Sequence, residues 1–253
     1  MSRNAVVHVI GTGTIGEPLI GLLTAMKGPL GIEEVTFHKR TPLLTDRSKV
    51  TNLLKRGAKL AVDQSAVKCF QDLGMDPSFE AREALDRAGV VIDCTPSGVG
   101  MENKTEFYEK YAANSLGFIA QGSEFGFGKM YARGINDRAL VPGDDKYIQV
   151  VSCNTHNVSL LLHSIAYRDG TDYQNLVDGK FVCMRRANDV SQTDKYAPAP
   201  EVNVHDDPKF GTHHAHDAYH LFETIGVHPN IFSSAVKLNT QYMHAIWFDI
   251  KTK

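Results

Sequence analysis

Stretches that predict strands alternate with stretches of helical composition through the first half of the chain. Short apolar runs predict strands at Val6–Ile10, Val35–His38, Lys59–Val62, Val90–Cys94 and Phe118–Ala120. Helices are predicted at Glu17–Met26, Ala81–Ala88 and Glu102–Ala113. Because strands and helices alternate, the pattern predicts a parallel sheet with helices on both faces.

The second half has a different pattern. Tyr147–Val151 predicts a strand that leads into Cys153, and the apolar residues after this cysteine follow helical spacing. The elements predicted further along are a strand Phe181–Met184, a polar loop Asp189–Pro208, a helix His216–Ile225 and a strand His244–Ile250. The last strand is predicted from its period-two alternation.

The composition excludes several classes of protein. With 42% hydrophobic and 22% charged residues over 253 positions, the chain is typical of a globular protein. Its net charge of −2 provides no basic surface for nucleic acid or an anionic membrane. No signal peptide is predicted, and four cysteines without a CxxC pair favour reduced thiols in the cytoplasm.

A glycine motif follows the first predicted strand and opens the first predicted helix, as a dinucleotide-binding loop does. Gly11 allows the tight turn, Gly13 allows the backbone to approach a pyrophosphate, and Gly16 allows the helix and strand to pack closely. Thr14 and Ile15 complete the motif at the helix N-terminus, where N–H groups favour phosphate. This loop is the candidate cofactor site.

The end of the second strand bears on which nicotinamide cofactor binds. NAD enzymes place an acid about 20 residues after the motif, but the segment Thr36–Thr41 contains none. Lys39 and Arg40 stand there instead and can neutralise a 2′-phosphate, so NADP is favoured, with NAD possible. A solvated basic turn is the alternative.

Cys153 lies between a predicted strand and helix, in the segment Ser152–Thr155. A helix N-terminus lowers the pKa of a thiol and favours the thiolate. Cys153 is therefore a candidate nucleophile. The alternative is a small buried residue at a helix start.

Histidines cluster in the segment Thr212–His220 and provide candidate bases for a thiol nucleophile. His213 and His214 are the adjacent pair. A zinc site built from several histidines and Asp217 is the alternative to be tested, and we expect no metal. Arg185 and Arg186 follow a predicted strand and suit a phosphorylated substrate, unless they are a surface basic pair.

The segments together resemble the archaeal-type (type II) glyceraldehyde-3-phosphate dehydrogenases, and they occur in that family's order. The matching segments are GTGTIG, DCTPSGVGMENK (Asp93–Lys104), FIAQGSE (Phe118–Glu124), VVSCNT (Val150–Thr155), RRA (Arg185–Ala187) and THHAHD (Thr212–Asp217). The SCNT segment is the most specific. The resemblance implies an NADP-dependent oxidoreductase of glycolysis that forms a homo-oligomer.

The resemblance also implies a role for each matching residue. Cys153 attacks the aldehyde, Asn154 stabilises the oxyanion, and His213 or His214 is the acid/base, with His214 favoured. The cofactor residues implied beyond the glycine motif are Thr95, Pro96, Gly98, Gln121 and Gly122. Thr155, Arg185 and Arg186 are implied to hold phosphate.

We therefore expect an α/β fold. Residues 1–150 are predicted to form a Rossmann domain, and residues 151–253 an α+β catalytic domain with a mostly antiparallel or mixed sheet.

The chain departs from the family pattern at several points. His156 and Asn157 replace Thr-Gly after SCNT, HHGPD becomes HHAHD, and Ser97 and Ser123 replace glycines. The family's sequences continue beyond residue 253, so the resemblance predicts a shortened relative. Two further interpretations remain open: a dehydrogenase of the same fold acting on another aldehyde, and a non-catalytic NADP-binding relative.

Overall fold

The computed structural model describes residues 5–186, 200–239 and 244–253, which form two compact units. The first unit contains the residues up to 128 and residues 143–148, and the second contains residues 129–142 and those from 149 onward. A boundary between independently folding domains near residue 150 stays a prediction, because compactness does not show which segment folds alone.

The first unit is built on parallel strands. They are β1 (Val6–Ile10), β2 (Glu34–His38), β3 (Lys59–Val62), β4 (Phe79–Glu80), β5 (Val90–Asp93) and β6 (Gly117–Gln121). Their order is β4-β3-β2-β1-β5-β6, and every pairing among them is parallel. Strand β8 (Tyr147–Val150) begins in this unit and lies beside β6, and the second unit opens with β7 (Lys129–Tyr131). The predicted parallel sheet is confirmed.

Short helices connect these strands. They are α1 (Gly16–Ala25), α2 (Lys27–Leu30), α3 (Arg47–Lys55), α4 (Val67–Asp72), α5 (Ala81–Arg87), α6 (Val99–Asn103) and α7 (Glu109–Tyr111). The helix predicted at Glu102–Ala113 is confirmed as a helical stretch, in which a π-helical turn at Lys104–Tyr108 separates α6 from α7. The wider turn places the Tyr108 side chain in the core, where its ring stacks on Phe118 at 5.1 Å.

The strand order of the first unit creates a position suited to ligand binding. From β1 the chain proceeds through β2 to β3 on one side, and β5 and β6 lie on the other side. In parallel sheets ligands bind outside the carboxyl ends of the strands where the order reverses. That point lies between β1 and β5.

The second unit packs two helices against a mixed sheet. The helices are α8 (Cys153–Leu161), which continues as a π-helical turn to Ala166, and α9 (His213–Glu223). The strands are β9 (Leu176–Arg186), β10 (Glu201–Val202), β11 (Ile231–Leu238) and β12 (Ala245–Thr252). In the order β10-β11-β9-β12, the β11–β9 pair is parallel and the outer pairs are antiparallel. Among the described helices, none combines the length and apolar character needed to cross a membrane.

Several predictions for the second half are corrected. The strand predicted at Phe181–Met184 is longer, because charged residues alternate with buried ones along β9. The helix predicted from His216 begins at His213, one turn earlier. The polar loop Asp189–Pro208 contains β10, while residues 189–199 lie outside the described part. Strand β11 was not predicted, because Ser233 and Ser234 interrupt its apolar pattern.

A buried histidine lies in the central strand of the first unit. His8 is fully buried in β1, and its Nδ1 lies 2.6 Å from the Thr36 hydroxyl in β2. Burial, reinforced by the nearby His38, lowers the pKa of His8 to about 3. The ring is therefore neutral in the folded protein at ordinary pH.

We expect His8 to make the first unit less stable in acid. Unfolding returns the pKa to 6.5, so the unfolded chain binds a proton at a pH where the folded chain does not. The stabilisation is present above that value and is lost as the pH falls towards about 3. Between pH 7 and pH 5, the change in unfolding free energy from this residue is about 2 kcal/mol.

Urea unfolding of the parent and of His8→Gln at both pH values measures this contribution. The variant should lose about 2 kcal/mol of the parent's pH dependence, whereas the control His205→Gln, at an exposed position, should retain it. Equal pH dependence in the parent and His8→Gln would contradict the account.

Candidate active site

The glycine loop after β1 is shaped by two close backbone contacts. Gly11 has a positive φ of 95°, and a Cβ on it would lie 2.8 Å from the Cys94 carbonyl oxygen. A Cβ on Gly16 would lie 2.0 Å from the carbonyl oxygen of Gly11. In contrast, apart from its two chain neighbours, no described residue has an atom within 4 Å of the position that a Cβ on Gly13 would take. The fold therefore requires the outer glycines, and the space beside Gly13 is open for a pyrophosphate.

The N-terminus of α1 is suited to a ligand phosphate. Ile15 occupies the cap position, and its side chain carries no group that accepts a hydrogen bond. Half of this side chain is exposed. The positive end of the helix dipole therefore adjoins the open side of the loop.

Asp93 organises the loop that follows β5. Its buried carboxylate accepts hydrogen bonds from the Thr95 N–H at 2.9 Å and the Thr95 hydroxyl at 2.5 Å. Asn103 Nδ2 at 2.9 Å and the Tyr108 hydroxyl at 2.5 Å donate to its other oxygen. When an aspartate side chain at the end of a strand accepts a hydrogen bond from the N–H two residues later, the segment forms an Asx turn. This role of Asp93 was not predicted from the sequence, although the spacing to Thr95 signals it.

Glu124 holds the next part of the same loop. Its buried carboxylate accepts the N–H groups of Gly98 at 2.6 Å and Met101 at 3.2 Å, at the start of α6. Burial raises the pKa of Glu124, and the two N–H donors oppose that change. The hydroxyl of Ser97 donates to the carbonyl oxygen of Ser123 at 3.0 Å, so one of the two serines that replace glycines bonds the backbone of the other. No local pattern marks Glu124 for this role.

The loops that follow β1, β5 and β6 meet at one edge of the sheet. Ile10 is in register with Asp93, and Asp93 with Ala120. Since these strands are parallel, their carboxyl ends share an edge. The structure therefore places the predicted cofactor residues of the first unit together, namely Gly11, Gly13, Thr14, Ile15, Gly16, Thr95, Pro96, Gly98, Gln121 and Gly122.

The two basic residues after β2 differ in their surroundings. Lys39 is buried to 9% exposure, and its Nζ lies 2.5 Å from Asp46 Oδ2. Arg40 is exposed. Lys39 therefore already has an anionic partner, whereas Arg40 is directed to the surface. The pairing with Asp46 was not predicted, because Asp46 is seven positions beyond Lys39 and nothing in the sequence pattern indicates it.

Cys153 is the first residue of α8 and is exposed. The Ser152 hydroxyl caps the helix by accepting the Thr155 N–H at 3.4 Å, and it also bonds the Thr155 hydroxyl at 3.0 Å. Thr155 is completely buried. Asn154 is also buried, and its Oδ1 has no hydrogen-bond partner in the described part of the chain. The thiol is thus accessible on a helix end whose next two side chains face inward.

His213 and His214 begin α9, and their rings lie 4.0 Å apart between centroids. His214 is only 2% exposed, and neither of its ring nitrogens has a partner among the described residues. Burial lowers the pKa of His214 to about 3, and His213, Arg185 and His244 contribute in the same direction. Burial also lowers the pKa of His213, although Asp217 opposes it. Both rings are therefore neutral at ordinary pH.

Arg185 and Arg186 point to opposite faces of β9, because side chains alternate along a strand. Arg185 shares the face of the buried Cys183, two residues earlier. Burial raises the pKa of Cys183 to about 12, while Arg185 opposes and Cys153 reinforces that change. Arg185 also acts on both histidines. Helices α8 and α9, which begin with Cys153 and His213, pack against each other.

The remaining histidines of α9 have acidic neighbours. His216 Nδ1 lies 3.0 Å from Asp217 Oδ1, and His220 Nδ1 lies 2.8 Å from Glu223 Oε2. Across residues 5–186, 200–239 and 244–253, no group of three or more His, Cys, Asp or Glu side chains is placed to hold a metal ion.

Ser233 of β11 fixes the start of α9. Its hydroxyl accepts the Ala215 N–H at 2.9 Å and lies 2.7 Å from the Thr212 hydroxyl. All three residues are buried. This contact aligns His213 and His214 with the sheet, and it was missed because β11 itself was not predicted.

Comparison with known proteins identifies relatives but no matching family model. Over 242 residues the chain is 30% identical to the glyceraldehyde-3-phosphate dehydrogenase of Methanobacterium bryantii, covering 94% of this chain and 64% of that protein. It is 27% identical over 249 residues to glyceraldehyde-3-phosphate dehydrogenase 2 of Methanosarcina acetivorans, covering 98% and 68%. The namesake from Sulfolobus acidocaldarius is 26% identical over 251 residues, covering 98% and 66%. The chain thus spans about two thirds of the length of these relatives. Its sequence therefore makes it a homologue of the archaeal glyceraldehyde-3-phosphate dehydrogenases.

Proposed function

We propose that the chain is an NADP-dependent aldehyde dehydrogenase that acts through Cys153 on glyceraldehyde-3-phosphate or a similar phosphorylated aldehyde. The observation that carries this proposal is the exposed thiol of Cys153 at the start of α8, which packs against α9. In α9 the buried ring of His214 has no hydrogen-bond partner among the described residues. Buried polar atoms normally have partners, and an exception points to a functional role. The names of the homologues support the same reaction.

The first unit has the residues to hold a nicotinamide cofactor. The open space beside Gly13 and the uncapped N-terminus of α1 fit a pyrophosphate. Thr95, Pro96, Gly98, Gln121 and Gly122 lie at the same edge of the sheet. When bound, the nicotinamide supplies the acceptor for a hydride. Arg40 and Lys39 support NADP over NAD, with NAD as the second candidate.

The cysteine performs the covalent part of the proposed reaction. The Cys153 thiolate attacks the aldehyde carbon, and the new carbon–sulfur bond leaves the negative charge on the former carbonyl oxygen. The Cys153 N–H and the Asn154 side chain stabilise this oxyanion. Loss of hydride from the same carbon gives a thioester, which inorganic phosphate cleaves to release the thiolate.

His214 is proposed as the acid/base, with His213 as the other candidate. Burial keeps the ring neutral, so one ring nitrogen carries a lone pair. His214 therefore takes the proton of the Cys153 thiol and returns one later. The absence of partners on both nitrogens in the described chain leaves them available for this exchange.

The substrate phosphate is proposed to bind mainly to Arg185. Arg185 shares the face of β9 that carries Cys183, and both Arg185 and Cys153 influence the pKa of Cys183, whereas Arg186 lies on the other face. Thr155 is buried and already bonds Ser152. The contacts of Thr155 and Arg186 with phosphate stay predictions. The homo-oligomer and the cytoplasmic location also stay predictions.

Turnover should depend on Cys153 and not on the other exposed cysteine. The parent should reduce NADP⁺ when glyceraldehyde-3-phosphate is added, faster with phosphate than without. Cys153→Ser should abolish this reduction and still bind NADPH, since the thiol acts in chemistry and not in the glycine loop. Absorbance of NADPH measures turnover, and a fluorescence titration measures binding.

The matched control is Cys69→Ser, which changes an exposed cysteine in α4 of the first unit and should keep the parent's rate. Aldehyde oxidation by Cys153→Ser at the parent's rate would reject the cysteine mechanism. Cofactor binding with no turnover of any tested aldehyde by the parent would favour the non-catalytic interpretation.

Replacing the two histidines separately identifies the base. His214→Asn should lower kcat by roughly 10²–10⁴, the usual contribution of a general base, and His213→Asn should lower it much less. Alkylation of Cys153 by iodoacetamide should slow in His214→Asn, because the ring no longer accepts the thiol proton. A larger loss in His213→Asn would assign the role to His213.

A further inference from the structure

An ion-pair network links the two parts of the proposed dinucleotide site. Asp46 ends a short 3-10 turn at Leu44–Asp46, just before α3. Its Oδ2 lies 2.5 Å from Lys39 Nζ, and its Oδ1 lies 3.4 Å from Lys49 Nζ. Lys49 Nζ also donates to the Thr12 carbonyl oxygen of the glycine loop at 3.3 Å. Asp46 therefore bonds both the lysine after β2 and the lysine that contacts the glycine loop.

The three side chains of this network are largely shielded from solvent. The exposed side-chain fractions are 9% for Lys39, 19% for Asp46 and 22% for Lys49. Partly buried pairs are screened less by salt than surface pairs. Although burial opposes it, hydrogen bonds and charges from Lys39 and Lys49 lower the pKa of Asp46, so the carboxylate is ionised at neutral pH.

The Asp46 carboxylate weakens the binding of a 2′-phosphate by Lys39. Lys39 can bind that phosphate with its full charge only if it leaves Asp46. A phosphate that approaches Lys39 also meets the negative charge of Asp46. Arg40 is exposed and is not part of the network.

We propose that Asp46 is a specificity-determining residue that limits the preference for NADP by retaining Lys39 and by repelling a 2′-phosphate. This inference rests on the proposed dinucleotide binding at the glycine loop. It implies that the chain discriminates less between NADP and NAD than its Lys39–Arg40 pair indicates.

The test is the ratio of the two coenzyme affinities, measured as Kd by fluorescence titration of the full chain with NADPH and NADH. Asp46→Asn should tighten NADPH binding about tenfold or more, because a freed charge-assisted hydrogen bond is worth that much. NADH binding should change much less. Adding Lys39→Met to Asp46→Asn should remove the gain. If the amide disturbs folding, Asp46→Ser removes the same charge with a smaller side chain.

The matched control is Glu17→Gln. Glu17 Oε2 lies 3.7 Å from Lys49 Nζ, whereas Lys39 pairs with Asp46. This variant removes one negative charge beside the same loop and should change the NADPH-to-NADH ratio less than threefold. An equal shift in Glu17→Gln and Asp46→Asn would reduce the effect to net charge and overturn the proposal.

Two other results overturn it in distinguishable ways. If both coenzymes bind the parent and Asp46→Asn leaves their ratio unchanged, the role of Asp46 is rejected and the proposed function stands. If neither coenzyme binds the parent, the proposed function and this inference both fail.

Discussion

The close approach of Gly16 to Gly11 is the contact on which the proposed nucleotide site depends. A Cβ on Gly16 would lie 2.0 Å from the Gly11 carbonyl oxygen, and backbone cannot yield by that much without moving the helix. Because no side chain intervenes, the N-terminus of α1 lies directly against the end of β1. The dipole of α1 and the open space beside Gly13 are consequences of that single approach.

Buried carboxylates keep the surrounding loops in place. Asp93 bonds Thr95, Asn103 and Tyr108, and Glu124 bonds the N–H groups at the start of α6. These acids bind donors that would otherwise lack partners, so each loop is positioned at the sheet edge before any ligand arrives. Asp46 has a different effect, because its partners are cations of the kind that a phosphate requires. Acids therefore both build this site and restrain its affinity for anions.

The sequence predicted what depends on local pattern and missed what depends on distant contacts. The glycine loop and the buried parallel strands follow from spacing and apolar runs, and the structure confirms the parallel sheet. Strand β11 was not predicted, because its Ser233 faces Thr212 and the start of α9. This is a polar contact between segments about twenty positions apart. The opposite directions of Arg185 and Arg186 were predictable from the period of a strand. The partner of Lys39 was not, because only the turn before α3 brings Asp46 to it.

In the second unit, the proposed chemistry depends on one exposed thiol and one buried imidazole. The central claim is that Cys153 becomes acylated by the aldehyde substrate. The direct measurement is mass spectrometry of the protein after mixing with NADP⁺ and glyceraldehyde-3-phosphate in the absence of phosphate, with acid quenching and digestion. The account predicts an acyl group on the peptide that contains Cys153, formed together with NADPH and lost when phosphate is added. Formation of NADPH while Cys153 stays unmodified, or acylation at Cys69 instead, would contradict it.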